Sequence, residues 1–190
     1  MQNADRISLL ARLARSSGAF GPALSGSAAS ILALSAASYG ARPTADATVP
    51  TGFDPIAVAL FEAIVEGAYL VANADGIFDA REREMFEKIV IAACGGLVLA
   101  SHVAALVSEL QALLSSEGMD ARVRAVGRAV TRKEHGREIL RIAVLIAQAS
   151  DEVSPVERGV LDALARHCLL DSHDVDQALL DVRAALTAAR

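Results

Sequence analysis

An all-α fold is what this chain predicts, and three observations predict it. Apolar residues make up 53% of its 190 residues but aromatics only 4%, Trp is absent and Pro is sparse beyond residue 55, so the apolar mass is alanine and leucine. Apolar positions recur at helical spacing from about residue 55 onward. Pairs of Asp or Ser with Glu three residues later, the mark of a helix start, punctuate that pattern. At 19.8 kDa the chain is long enough for one well-buried domain with a short extra segment.

Residues 1–15 come first, and DRISLLARLARSS within and just beyond them places Ile7, Leu10, Ala11 and Ala14 on one helical face, with Arg6, Arg12 and Arg15 elsewhere around it. A basic amphipathic helix of this kind suits a docking peptide, with Ile7, Leu10, Arg12 and Leu13 as its contact residues. A targeting peptide, a peripheral membrane foot, a poor secretory signal ending near Ser38 and a frayed helix without a role fit the same pattern. Residues 16–50 read as a Ser/Gly/Ala-rich linker, uncharged from Ser16 to Ala41. That stretch is long enough to cross a bilayer, but Ser and Gly dilute it far below an ordinary spanning helix, so a flexible tether is expected. Residues 1–50 are thus a flexible N-terminal extension, and residues 51–190 the domain proper.

The domain opens with FDPIAVALFEAIVEGAYLVANADG, in which Pro55 suits a first helical turn and Ile56, Leu60, Ile64, Ala68 and Val71 recur at helical spacing up to a stop at Asp75-Gly76. Asp79 and Glu82 then form a capping box for a second helix with a stripe of Met85, Phe86, Ile89, Val90 and Ala93, and Gly95-Gly96 ends it. Two further helical patterns run over roughly 97–115 and 119–131. A shift of 75 residues brings the first grammar back: Val71 falls on Ile146, Phe78 on Val153, Asp79 on Ser154, Glu82 on Glu157, Phe86 on Leu161 and Ile89 on Leu164. In the second copy Ser154-Pro155-x-Glu157 combines an N-cap hydroxyl, a proline at the first helical position and the boxed glutamate. A capped amphipathic helix from Asp171 or Ser172 closes the chain.

VANADGIFDARE, residues 71 to 82, has the outline of a calcium loop, with Asn73, Asp75, Gly76, Asp79 and Glu82 on the expected positions. Its first position is Val71, which has no side-chain oxygen. The second copy offers Gln148, Ser150, Asp151, Ser154 and Glu157 with Ile146 at the first position, and paired EF-hands lie about half as far apart as these two copies. Neither copy is an EF-hand.

The doubled element is the run from Ala72 through Asp75-Gly76 to Asp79 and Glu82, then the run from Ala147 through Ser150-Asp151 to Ser154 and Glu157. Over residues 55 to 188 the chain resembles the TerB-like family of helical domains, found in tellurite-resistance proteins and at the N-terminus of DjlA-type membrane co-chaperones, whose mark is a doubled A-x-A-D-G-x-[IV]-[SD]-x-x-E element at this separation. The first copy is a close match, whereas the second carries Ser150 and Asp151 where the pattern has Asp and Gly. The resemblance implies a bundle of about seven helices built from two pseudo-symmetric helix-pair repeats, an acidic patch proposed to bind divalent metal, a role in stress or envelope assemblies, and no established catalysis. Carried over by position, the metal ligands would be Asp75, Asp79, Glu82, Asp151 and Glu157; hard oxygen donors suit Ca2+ or Mg2+ rather than zinc. Caps and turns account for the same residues without a metal, because Asp79, Glu82 and Glu157 already serve capping boxes.

Glu62 and Glu66 lie on an otherwise apolar helix, and the 75-residue shift carries them onto Arg137 and Arg141. If the two equivalent helices pack side by side, Glu62, Glu66, Arg137 and Arg141 are expected to form two bridges that fix their register.

Catalysis and nucleic-acid binding find little footing. His102, His135, His167 and His173 form no triad or metal spacing and are expected at the surface, and ACGG at 93–96 lacks the context of a phosphate loop. Cys94 and Cys168 sit in apolar helical patterns without zinc spacing, as two reduced core thiols of a cytoplasmic protein would. A formal charge of -5 and a pI near 5.4, with arginines interleaved among acids, argue against a phosphate-binding surface. The expected function is a non-enzymatic interaction or scaffold module, cytoplasmic or recruited to a membrane or larger assembly, that meets a protein partner through the N-terminal peptide or the helical surface. A Ca/Mg sensor or buffer acting at the Asp75 corner is the alternative, an enzyme with a cryptic site the distant third, and a homodimer is left open.

Overall fold

The computed structural model describes residues 3–16, 30–42, 53–148 and 152–188. The described residues form nine helices and no strand: α1 (Asn3–Arg15), α2 (Ile31–Gly40), α3 (Pro55–Ala72), α4 (Ala80–Ala93), α5 (Ala100–Glu117), α6 (Met119–Arg128), α7 (Lys133–Ala147), α8 (Pro155–His167) and α9 (Ser172–Ala188). Seven of them lie beyond residue 51. The chain is all-α, as its composition requires.

α3 and α7 form the centre, buried over most of their lengths and packed along each other. They come close because Gly67 faces Ile139, where an added Cβ would stand 2.7 Å from the Ile139 Cγ2. α2 and α6 pack against α3, α8 and α9 against α7, and α1 against α4. α3 is long and apolar enough to cross a membrane, but it is the main core helix here, with Phe61, Ile64, Ala68, Tyr69, Leu70 and Val71 fully buried.

Local chemistry explains the helix ends. Asp79 accepts the Arg81 and Glu82 N–H groups at 2.8 Å while Glu82 accepts the Asp79 N–H at 3.0 Å, and Ser154 with Glu157 repeats the box at 3.2 and 2.7 Å. Asp171 accepts the N–H groups of His173 and Asp174 and so opens α9. α5 passes to α6 through the single residue Gly118, whose φ of +79° strongly favours glycine. α3 and α7 end 75 residues apart, at Ala72 and Ala147, and α4 and α8 begin 75 apart, at Ala80 and Pro155.

Two expectations for the first fifty residues are corrected. Residues 30–42, read as part of a flexible linker, form α2, capped by Ser30 and buried at Leu32, Ala36 and Tyr39; the Tyr39 ring lies 4.5 Å from that of Phe61. Small residues bury little area each and so imitate a tether, but they also let a helix lie close. At Gly40 an added Cβ would collide with the Leu97 carbonyl. Residues 17–29 and 43–52 lie outside the described residues.

The docking face of α1 is likewise in use within the chain. Leu10 is 1% exposed, Ile7 and Leu13 pack against the core, and only Arg12 of the four expected contact residues is exposed. The apolar stripe is the same whether the groove it fills belongs to a partner or to the chain itself, so the sequence could not distinguish the two.

The ion pairs are corrected too. Glu66 accepts from Arg122 of α6 at 2.6 Å, Arg141 pairs with Glu138 one turn earlier at 2.8 Å, Glu62 meets Arg42 at 2.7 Å and Arg137 meets Asp174 at 3.3 Å. All four residues are paired, and none with the partner expected. Equivalence under the 75-residue shift relates positions of similar role, not neighbours: Glu66 turns toward α6, whereas Arg141 turns toward α1.

Candidate binding cleft between the two helix corners

The first corner, between α3 and α4, is held by its own backbone and by aromatic rings. Asp75 Oδ1 accepts the Ile77 N–H at 2.9 Å, and the Gly76 N–H reaches the Asn73 carbonyl at 3.1 Å. Phe78, Tyr69 and Phe86 meet edge-on with centroids 5.1, 6.0 and 6.1 Å apart, which fixes the loop to both helices. In the second copy the corresponding positions are Val153, Val144 and Leu161, so the aromatic clamp belongs to the first corner alone.

The two corners face a common cleft of about 570 Å3. Val71, Phe86, Ile89 and Ile146 line its apolar part, with Phe78 and Met85 toward the first corner. Asp75, Asp79, Glu82 and Glu157 supply carboxylates, and Ser154 joins them from the second corner. Four of the five residues carried over as metal ligands therefore share one cleft; Asp151 lies outside the described residues. Each of the four commits one oxygen to a backbone N–H: Oδ1 of Asp75 and Asp79, Oε2 of Glu82 and Glu157. Among the described residues, no three His, Cys, Asp or Glu side chains stand close enough together to hold one metal ion.

Two arginines that sequence reasoning did not assign to the site also line it. Arg81 comes from the first turn of α4, and Arg6 reaches in from α1 to donate to the Gln148 carbonyl at 3.0 Å. The 75-residue repeat was the signal that could have joined the corners. Nothing in the sequence marks Arg6, because its place depends on where α1 docks.

The remaining titratable candidates lie elsewhere. His102, His167 and His173 are exposed, but His135, expected at the surface, is buried at the start of α7 between Thr131 at 3.3 Å and Arg132 at 3.1 Å. Burial and the neighbouring Arg132 charge hold its pKa below the usual histidine value. Cys94 and Cys168 are free and buried, and burial pushes both thiols up to about 12. Both are expected to react with a thiol reagent only after unfolding; rapid reaction of either in native buffer, followed by absorbance, would contradict this burial.

The chain matches no family model, no curated protein and no solved structure.

Proposed function

We propose that the chain is a TerB-like, non-enzymatic interaction module of a stress-response or envelope-associated assembly, working on the cytoplasmic side, with the cleft between its two helix corners as the contact surface. The single observation that carries this reading is the cleft itself: a largely buried apolar floor, with Phe78 and Met85 partly exposed, bordered by carboxylates and placed where the doubled element recurs. The residue pattern of that element supports the family assignment, and the matching 75-residue offsets of helix ends support the pseudo-symmetric repeat. A photo-crosslinking residue at Arg81 is expected to capture a defined protein partner in cells, while the same residue at exposed Leu180 on α9 captures none. Absence of a discrete Arg81 adduct would sink the reading.

The residue pattern of the doubled element also suggests a second role, weak Ca2+ or Mg2+ binding at the Asp75 corner, where the described carboxylates do not converge on one point. Calorimetric titration of the full chain tests it beside Asp75→Asn, whose Oδ1 still accepts the Ile77 N–H. Saturable heat lost in the variant supports a metal site; no heat at millimolar ion removes it.

A further inference from the structure

Resting on that interaction-module reading, we propose that the cleft receives a basic amphipathic segment of a partner protein, its apolar side chains on the cleft lining and its arginine or lysine head groups among the rim carboxylates. Charge decides the class of occupant. Four carboxylates, Asp75, Asp79, Glu82 and Glu157, stand against the two guanidiniums of Arg6 and Arg81, so the cleft carries a net negative charge in a chain of formal charge -5. Three of the carboxylates belong to the first corner and Glu157 to the second, so basic side chains can arrive from either side.

One basic side chain already stands at the cleft, where Arg6 donates to the backbone carbonyl of Gln148. α1 is itself a basic amphipathic helix, and its Arg6 enters the cleft edge while its apolar stripe packs on the core. The cleft has room beyond Arg6 for a few further side chains, the usual footprint of a helix laid in a groove.

The test uses the full chain and a fluorescent synthetic amphipathic helix with leucine on one face and arginine on the other, read by anisotropy. A matched helix with glutamate in place of arginine is the control. Asp75→Asn, Glu82→Gln and Glu157→Gln combined remove three of the four rim charges yet keep the side-chain oxygens that accept the Ile77, Asp79 and Ser154 N–H groups, so the caps survive. Neutralising Glu84, Glu109 and Asp120, which lie outside the cleft, controls for overall charge. The arginine helix is expected to bind saturably, to weaken roughly tenfold or more in the rim variant, and to keep its affinity in the off-site variant.

Equal binding by the glutamate helix, equal loss in both variants or no saturable binding would overturn the proposal. Failure here is separable from failure of the module reading: an Arg81 crosslink to a partner's acidic or neutral segment would end this inference and leave the interaction module standing, whereas no Arg81 adduct ends both.

Discussion

Replacing Arg141 with methionine is expected to lower the unfolding free energy by about 3–5 kcal/mol, the cost of leaving a buried partner charge alone. Arg141 and Glu138 are 6% exposed each, paired on successive turns of α7, and each also holds a different helix end. The Arg141 guanidinium donates to the carbonyls of Leu13 and Ala14 at 2.8 Å in the last turn of α1, the first of which also accepts from the Ser16 hydroxyl at 2.7 Å; Glu138 Oε1 accepts the Leu32 N–H at 3.1 Å in the first turn of α2. One ion pair therefore ties the C-terminus of α1 and the N-terminus of α2 to the central helix. In Arg141→Met, Glu138 remains buried with little to balance its charge, and α1 loses its cap. Glu138→Gln with Arg141→Met leaves no charge and keeps an acceptor for Leu32, so the double variant should recover a large part of the loss. Denaturant unfolding of both variants checks this. Equal losses would mean that the pair does not carry the energy assigned to it, and hydrogen exchange faster over residues 3–16 than over α3 would confirm which helix is released.

The second large effect is expected at Arg122. Its Nε donates to Glu66 at 2.6 Å and its Nη1 to Glu117 at 3.0 Å, and the Glu66 side chain is 9% exposed. Burial raises the Glu66 pKa, and the Arg122 hydrogen bond and charge oppose that rise. Arg122→Met removes the opposition, so the folded-state pKa moves further above the ordinary carboxylate value. A raised carboxylate pKa means that the folded state binds more protons than the unfolded state between the two values. Stability is therefore lost as pH rises through that window. Arg122→Met is expected to cost roughly 2–4 kcal/mol near neutral pH and clearly less near pH 5, with Glu66→Gln added to it flattening the difference. A loss independent of pH would show that Glu66 is not the group left stranded. Glu66→Gln and Arg141→Met should by contrast be additive, because the two residues belong to separate networks.

Capping and periodicity were legible because their chemistry is local. Asp79 with Glu82 and Ser154 with Glu157 close their boxes within four residues of chain, so side-chain type and spacing suffice to place the starts of α4 and α8. The stripe from Met85 to Ala93 likewise faces the core with Phe86, Ile89, Val90 and Ala93 buried. The candidate site was half legible: the doubled element pointed to Asp75, Asp79, Glu82 and Glu157, and the fold brings these to one cleft, but the cleft's apolar lining and Arg6 depend on how α1, α4 and α7 meet. α2 escaped notice because Ser, Ala and Gly give no strong moment, and close packing against α3 and residues 97–98 is visible only once those neighbours are in place.

By itself, then, the sequence determined the helical class and the capped starts of α4 and α8, set by hydrogen bonds and apolar spacing within a few residues. Only the tertiary structure decided that α1 and α2 belong to the domain, that Glu66 answers to Arg122 and Arg141 to Glu138, and that the two acidic corners share a cleft. The reason is physical: an apolar stripe or a buried charge states what it needs but not which surface supplies it, and the supplier is chosen by the packing of segments distant in the chain.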